Sequence, residues 1–376
     1  VTDEDIIRFK GGVEAQYING LQSVAGKVSQ LAAFQTFTGN PNKIGDLLKM
    51  YSSVTKEDVM RVYNQYIKGK HAVIVSVLPK GQEKLVAADD DYKVDSSHYT
   101  APNYGYDQLK YAKATDNFDR SKKPGNGPNP VVKVPAFWKK NLPNGIKIIG
   151  AENTELPLVT ITVTLPGGHL LQAKDMSKAG LASFFSDMMN EDTKNYSAEQ
   201  LAVELQKLGS SIRVSSETDG LSFSVQALKK NLDKTLDLLQ ERMLNPVFTD
   251  DAFKRNQKQT LEGIRQSKTR AADVATDVIA KINFGAGNIL GVSENGTEAT
   301  VKNITLDDIK NYYSNNISSQ GAKVVIVGDV KESEIMPKLG FLSKLPNKKI
   351  DIPAVNASPL EVDKSKIFLV DIPKAA

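Results

Sequence analysis

The segment GLASFFSDMMNEDT, residues 180–193, is predicted to open a helix whose polar side chains could do chemistry. Helical periodicity places Ser183 and Asp187 one turn apart on the same face. Two good ligands at this spacing, such as histidines, can hold one metal ion. Here the two positions carry a hydroxyl and a carboxylate. The residues alone leave two interpretations open, a reactive segment or the scaffold of a site located elsewhere.

The chain is poor in nucleophilic and metal-binding side chains. It contains no cysteine, which excludes disulfides, thiolate catalysis and cysteine-ligated metals. Its three histidines, His71, His98 and His169, are too far apart to form a local His-x-x-x-His pair. A histidine zinc site would need distant segments to converge. His169 follows PGG at a predicted strand end, where we interpret it as a surface turn residue, with a substrate contact as the alternative.

Length and charge indicate a multidomain globular protein. The 376 residues suggest two or three domains. A net charge of +4 with mixed signs gives no concentrated basic field, so no nucleic-acid partner is predicted. No apolar stretch approaches the ~20 residues that cross a bilayer, so no membrane span is predicted. The polar start VTDEDIIRFK, without an initiating Met, suggests a fragment or a processed chain.

Two segments resemble each other at a constant offset along the chain. TKEDVMRVYNQYI covers residues 55–67, and TLDDIKNYYSNNI covers residues 305–317. The first is followed by the β-branched run HAVIVSVL and the second by AKVVIVGDV, and both runs are predicted to be buried strands. A repeat with so long a period indicates duplicated domains.

Capping signals support a helix in each copy. Thr55 and Thr305 are predicted N-caps, and Asp58 and Asp308 stand at the third helical position as capping-box acids. Between the copies, residues 88–135 are rich in Asp, Asn, Gly, Pro, Ser and Tyr and lack periodicity. We interpret them as an inter-domain linker.

The segment after the linker predicts an α+β domain. FWKKNLPNGIKIIG and SSIRVSSETDGLSFSVQAL are predicted hairpins, and LVTITVTL is an alternating strand. One helix is bounded by Ser197 as N-cap and Gly209 as C-cap. Another is amphipathic, and a third runs from near Asp250 through Glu262. The amphipathic helix places these residues on one face: Leu232, Leu236, Leu239 and Met243. We expect an antiparallel sheet covered by helices on one side.

Several of these segments, in this order, resemble the insulinase/pitrilysin family of zinc metallopeptidases, which includes mitochondrial processing peptidase. The matching pieces are LPGGHL, GLASFFSD, LEGIRQ and the long run NFGAGNILGVSENGTEATVKNITLDDIKNYYSNNISSQGAKVVIVGDV. The resemblance implies an α+β fold of duplicated metallopeptidase-type domains, each an antiparallel sheet covered by helices on one face. It covers nearly the whole chain except the linker.

The family's zinc motif is degenerate in this chain. The family has His-x-x-Glu-His on a helix and a distant Glu, which together bind zinc and activate its water. The corresponding positions here are Ser183, Ser186, Asp187 and Glu262, and only the last is unchanged. The resemblance therefore implies no catalytic residue and no metal in this chain. Asp187 and Glu262 are interpreted as solvated or salt-bridged, with a relic or weak ion-binding pair as the alternative.

The resemblance also implies a division of the chain. Residues 1–87 would close a peptidase-like domain, and 88–135 would form the linker. Residues 136–350 would form an inactive peptidase-like domain. Residues 351–376, with SKIFLVDIPKAA, would hold a linker and the first strand of a following domain.

The implied function is that of a noncatalytic half of a zinc endopeptidase, which shapes the cleft and binds peptide substrate, partly by adding peptide to a sheet edge. Zinc and the catalytic residues would lie on a missing N-terminal half or on another subunit. The alternatives are a catalytically dead assembly subunit, like the core subunits of the respiratory bc1 complex, and a peptide-binding, chaperone-like module. Family analogy points to a bacterial periplasm or envelope.

A glycine-rich run, residues 284–291, is the remaining candidate. FGAGNILG lacks the Lys and Ser/Thr of a phosphate-binding loop, so we interpret it as a connection between helices. The alternative is a substrate-sensing loop, as in the noncatalytic subunit of processing peptidase. In that case Phe284, Gly285 and Gly287 would contact the substrate.

Overall fold

The computed structural model describes residues 1–88, 97–110, 119, 121–123, 125, 127–129, 131, 134–358, 361 and 364–372. The chain divides into two compact units. One unit comprises residues 1–60 and 135–376, and the other comprises residues 61–134. Much of the predicted linker, residues 88–135, lies outside the described residues, and the proposed division into domains stays a prediction.

Helices and one six-stranded sheet make up the described fold. The helices are α1 (Asp3–Gly20), α2 (Val24–Thr38), α3 (Ile44–Ser53), α4 (Lys56–Tyr66), α5 (Leu181–Met188), α6 (Ala198–Leu208), α7 (Leu232–Leu244), α8 (Asp250–Ser267), α9 (Ala271–Phe284), α10 (Glu298–Asn303), α11 (Leu306–Asn316) and α12 (Glu332–Ile335). The strands are β1 (Trp138–Asn141), β2 (Lys147–Glu152), β3 (Leu158–Pro166), β4 (Ser211–Ser216), β5 (Gly220–Leu228) and β6 (Lys323–Gly328). Within the described part of the chain, no helix is both long and apolar enough to cross a membrane.

The sheet has the order β1-β2-β6-β3-β5-β4. Its neighbours are antiparallel except β2 and β6, which are parallel. The expectation of a purely antiparallel sheet was wrong at this pair, because β6 arrives late in the chain and inserts between β2 and β3. Inward side chains such as Val324 and Ile326 are buried, whereas Val325 and Val327 face solvent. The α+β class, with helices on one face of the sheet, is confirmed.

Local sequence signals correctly predicted features of helices α6, α7 and α11. Ser197 caps α6 in a capping box with Gln200, and Gly209 ends the helix in the left-handed conformation at φ 58°. Thr305 and Asp308 form the predicted capping box of α11. The predicted apolar face of α7 is buried in the core: Leu232, Leu236, Leu239 and Met243.

The two β-branched runs of the repeat differ in structure. Residues 323–328 form the central strand β6, as predicted. The prediction of a strand at residues 71–78 was wrong, because this run has no regular structure and Val73 is 94% exposed. No described strand pairs with it, and a strand needs a hydrogen-bonded neighbour. In the tail segment SKIFLVDIPKAA, the residues described, through residue 372, lie in no helix or strand, and Leu369 is 92% exposed.

Candidate functional site

Helix α5 carries the degenerate motif and is held in place by its first turn and by its buried face. It begins at Gly180, whose φ of 97° is left-handed, and a Cβ there would lie 2.8 Å from the carbonyl oxygen of Asn295. Only glycine fits this start without strain. The buried face of α5 carries Phe184 and Phe185, and the ring of Phe184 lies 5.1 Å from that of Phe253 on α8. The sequence thus positions α5 and α8 against each other.

Both serines of the motif are engaged in local hydrogen bonds. The Ser183 hydroxyl donates to Oδ1 of Asn295 at 2.8 Å. The Ser186 hydroxyl is buried and donates to the backbone oxygen of Ser183 at 2.7 Å. Ser186 has no ionisable group with which to act as a base. The Ser183 contact fastens α5 to the segment at Asn295, and the Ser186 contact lies within α5, so both serines have a structural role.

Asp187 is the electrostatically unusual residue of the motif. Loss of hydration among the surrounding protein atoms, with the like charge of Glu191 second, raises the pKa of its carboxyl to about 6. The residue nevertheless keeps a large solvent-exposed surface. The exposed area limits the energetic cost, because water still screens the charge. Glu191 itself is held by Arg255 and by Asn256 of α8, whose Nδ2 donates to it at 2.6 Å.

Glu262 lies on the exposed side of α8 and does not join Asp187 in a bonded pair. Its carboxylate lies 3.6 Å from Nη1 of Arg265, one helical turn away, and both side chains are more than half exposed. Arg265 also pairs with Glu298 of α10 at 3.2 Å. Glu262 is therefore a surface carboxylate in a local ion-pair network.

The residues at the motif do not fit a zinc ion. Zinc in peptidases needs three nitrogen or oxygen ligands that converge on one point. The described residues contain no group of three or more His, Asp or Glu that could hold a metal. The hydroxyls of Ser183 and Ser186 donate hydrogen bonds to neutral partners, and the carboxylate of Glu262 lies beside Arg265. The arrangement provides a scaffold without the ligands.

A change of Asp187 to Asn should stabilise the protein at neutral pH. The folded pKa of about 6 exceeds the reference of 3.8, so the unfolded chain loses its proton first as the pH rises. Wild-type stability therefore falls between pH 4 and 6 relative to Asp187→Asn. We expect the variant to gain about 1 kcal/mol at pH 7, a value reduced for exposure, and nothing at pH 3.5.

Urea denaturation at several pH values measures this difference. Ser183→Ala is the control on the same helix, since it removes a polar group without a titrating charge. An advantage of Asp187→Asn that is equal at pH 3.5 and pH 7 would contradict the raised pKa.

His169 is buried, so its interpretation as a surface turn residue was wrong. It is only 2% exposed, at the start of the short 3₁₀ helix His169–Lys174. Its Nε2 lies 2.9 Å from the backbone oxygen of Ile289 and 3.1 Å from that of Val292. Nε2 therefore donates to these carbonyls. The PGG turn is covered by a segment more than a hundred residues away, which local sequence does not reveal.

The glycine-rich run connects α9 to α10. Phe284 is the last residue of α9, and Gly285 follows with a left-handed φ of 80°. Within the run Ile289 is buried, and its backbone oxygen accepts the His169 hydrogen bond. Gly287 has open space around it. The run is thus held at its far end by His169 and is more open at Gly285 and Gly287.

Two protein-family models match this chain, and one of them covers the helices that carry the degenerate motif. The profile of the insulinase family (peptidase family M16) matches residues 147–290, and the profile of the peptidase M16 inactive domain matches residues 303–375. Together they cover more than half of the chain and include the whole degenerate motif. The chain belongs to the insulinase family, peptidase family M16.

Individual M16 relatives are distant and longer than this chain. A non-peptidase homologue, YmxG, of Helicobacter pylori is 29% identical over 54% of this chain and 47% of its own length. A probable mitochondrial-processing peptidase subunit beta of Arabidopsis thaliana is 21% identical over 56% of this chain and 39% of its own. The chain thus spans about half or less of these relatives.

A solved structure shares the fold of this M16 chain. The peptidase M16 inactive domain from Pseudomonas fluorescens superposes with a TM-score of 0.54 over 59% of this chain and 53% of that one, at 19% identity. At this identity the likeness shows the fold alone.

Sequence reasoning missed three polar residues that make tertiary hydrogen bonds: the half-buried Asn190 and the buried Glu241 and Arg242. Glu241 is 8% exposed and Arg242 is 6% exposed, on the covered side of α7. A signal was present for Arg242, because it follows Leu238 and Leu239 by four and three residues and so shares their helical face. Asn190 gave no signal, since its partners on β4 and α7 are distant in the sequence.

Proposed function

We propose that this chain is a noncatalytic part of a zinc-dependent M16 metallopeptidase, which walls the cleft and binds polypeptide while another half or subunit hydrolyses it. One observation carries the proposal. Helix α5 keeps its buried aromatic face and its packing on α8, yet its motif positions hold hydroxyls and a carboxylate in place of ligands. The fold of the site is maintained without its chemistry.

The partner in this proposal is a catalytic half or subunit that carries the zinc, the general base and the ligands. The substrate is an extended polypeptide, since a peptidase cleft must accept unfolded chain. Within this chain, Phe284, Gly285 and Gly287 are the proposed substrate contacts, because the glycine-rich run is anchored at His169 and open near Gly287. The proposed inactive domain spans residues 136–350.

A second candidate is a catalytically dead assembly or peptide-binding subunit. It is favoured by the non-peptidase homologue from Helicobacter pylori, which matches this chain at 29% identity. Under this candidate no polypeptide is hydrolysed and no zinc is bound by any part of the intact protein.

Zinc content and peptidase activity of the intact natural protein separate the two candidates. The peptidase proposal expects one bound zinc per molecule or complex and hydrolysis of an unfolded polypeptide. An intact protein with neither zinc nor activity would support the assembly candidate.

The motif of this chain is expected to be dispensable for hydrolysis. In the intact protein, the triple variant Ser183→Ala, Asp187→Asn, Glu262→Gln should keep kcat/KM for a fluorogenic peptide within about twofold of wild type, since ΔΔG‡ from non-contacting residues is small. The matched control changes the zinc ligands of the catalytic half, which should abolish turnover. A loss above tenfold in the triple variant would place chemistry in this chain.

A further inference from the structure

The outer edge of β4 is covered by side chains. Among the described strands, β4 pairs with β5 alone and ends the sheet. An edge strand normally offers free N–H and C=O groups to which an extended polypeptide can add. Here the backbone oxygen of Ile212 and both the N–H and the oxygen of Val214 are bonded to Asn190 and Arg242.

Asn190 acts as a substitute for a neighbouring strand. Its Nδ2 donates to the oxygen of Val214 at 3.2 Å, and its Oδ1 accepts from the N–H of Val214 at 3.4 Å. A side-chain amide thereby makes the pair of bonds that an added peptide group would make. Nδ2 also donates at 2.9 Å to the backbone oxygen of Ser186 in α5, which fixes the amide to the motif helix.

Arg242 sets the orientation of that amide and extends the cover. Its Nη1 donates to Oδ1 of Asn190 at 3.1 Å and to the backbone oxygen of Ile212 at 2.9 Å. A guanidinium can only donate, so the amide atom facing it must be the oxygen. Among the described residues Arg242 makes no ion pair, although it is 6% exposed. A buried cation that serves only neutral acceptors is a costly way to fill this position.

We propose that Asn190 and Arg242 close the edge of β4 to strand addition, so polypeptide held by this domain is not bound along Ile212–Val214. The inference depends on the proposed function in one respect, namely that this domain binds a polypeptide. It restricts the proposed function, because the polypeptide substrate must then contact this chain through surfaces other than the edge of β4. The expectation that substrate adds to a sheet edge then does not apply to this stretch of β4.

Hydrogen–deuterium exchange of the intact protein tests the closed edge. The probe is reduced, carboxymethylated α-lactalbumin, which stays unfolded, with EDTA present to prevent hydrolysis. In the wild type, we expect the Val214 amide to exchange slowly and to be unaffected by the probe. In Asn190→Ala, the amide should exchange at least tenfold faster and slow again when the probe is added.

Two further variants make the result interpretable. Asn231→Ala removes another side-chain amide that caps a backbone oxygen, that of Leu208 at 2.8 Å, and should leave Val214 unchanged. Asn190→Asp still accepts from Arg242 but cannot donate to Val214, so it tests the edge if Asn190→Ala fails to fold. It should show a smaller gain of probe-dependent protection.

The outcomes distinguish the two proposals. Probe-dependent protection of Ile212–Val214 in the wild type overturns the closed edge, and so does its absence from the Asn190 variants when the probe protects other parts of the same chain. Protection by the probe elsewhere on the wild-type chain supports polypeptide binding whatever happens at β4. Its absence everywhere overturns the proposed function and leaves the exchange of Val214 in wild type and Asn190→Ala as the readout of the cap.

Discussion

Phe185→Ala should lower the free energy of unfolding by about 4 kcal/mol, the range seen when a buried aromatic side chain is deleted. Phe185 is 0% exposed, and its ring centroid lies 4.4 Å from that of Tyr312 and 6.0 Å from that of Phe248. The truncation leaves a cavity between α5, α11 and the loop before α8, which packed neighbours cannot fill. Urea denaturation followed by circular dichroism measures the loss.

Phe37→Ala is the matched control for this deletion. Phe37 lies on α2 and is 85% exposed, so the same chemical change should cost less than about 0.5 kcal/mol. A similar loss in both variants would show that Phe185 is not a core residue. A loss confined to Phe185→Ala would show that α5 is maintained as scaffold, as the proposed function requires.

Glu241→Ala should cost about 2 kcal/mol, because a covered carboxylate loses three hydrogen bonds, although water can reach the donors that remain. The carboxylate accepts from the backbone N–H of Asn195 at 3.0 Å, from Asn195 Nδ2 at 3.0 Å and from Asn245 Nδ2 at 2.7 Å. These bonds fasten the loop between α5 and α6 to the end of α7. The loss should appear as a lower midpoint of thermal unfolding.

The effect of Glu241 should depend on pH. Burial opposes its ionisation, but hydrogen bonds from Asn245 and Asn195 outweigh that effect and hold the pKa below its usual value of 4.5. The side chain is nearly covered but lies close to the protein surface, so burial raises the pKa less than the hydrogen bonds lower it. A lowered folded pKa gives stability that is complete above the unfolded value and lost as the pH falls. The difference between wild type and Glu241→Ala should therefore shrink below pH 4.5.

Glu262→Ala is the control for Glu241→Ala. Glu262 is exposed and its pair with Arg265 lies on the surface, so its removal should cost less than about 0.5 kcal/mol at any pH. If Glu262→Ala proved as costly as Glu241→Ala, the description of Glu262 as a surface carboxylate would be wrong.

Much of the fold was predictable because its signals are local. The caps at Ser197 and Thr305 depend on residues three positions away, and the buried face of α7 depends on helical periodicity. The absence of zinc ligands at residues 183 and 187 is likewise read directly from residue identity, since a hydroxyl cannot replace an imidazole. By itself, the sequence thus determined the caps of α6 and α11, the buried face of α7, the hairpins and the loss of the motif.

Tertiary structure alone decided what depends on distant partners. The two β-branched runs look alike, but only residues 323–328 found neighbouring strands, while residues 71–78 stay unpaired among the described residues. His169 is buried because the segment at Ile289 covers it. Asn190 reaches β4 because the sheet ends there. Burial and hydrogen-bond partners are properties of the packed chain, so a local pattern cannot specify them.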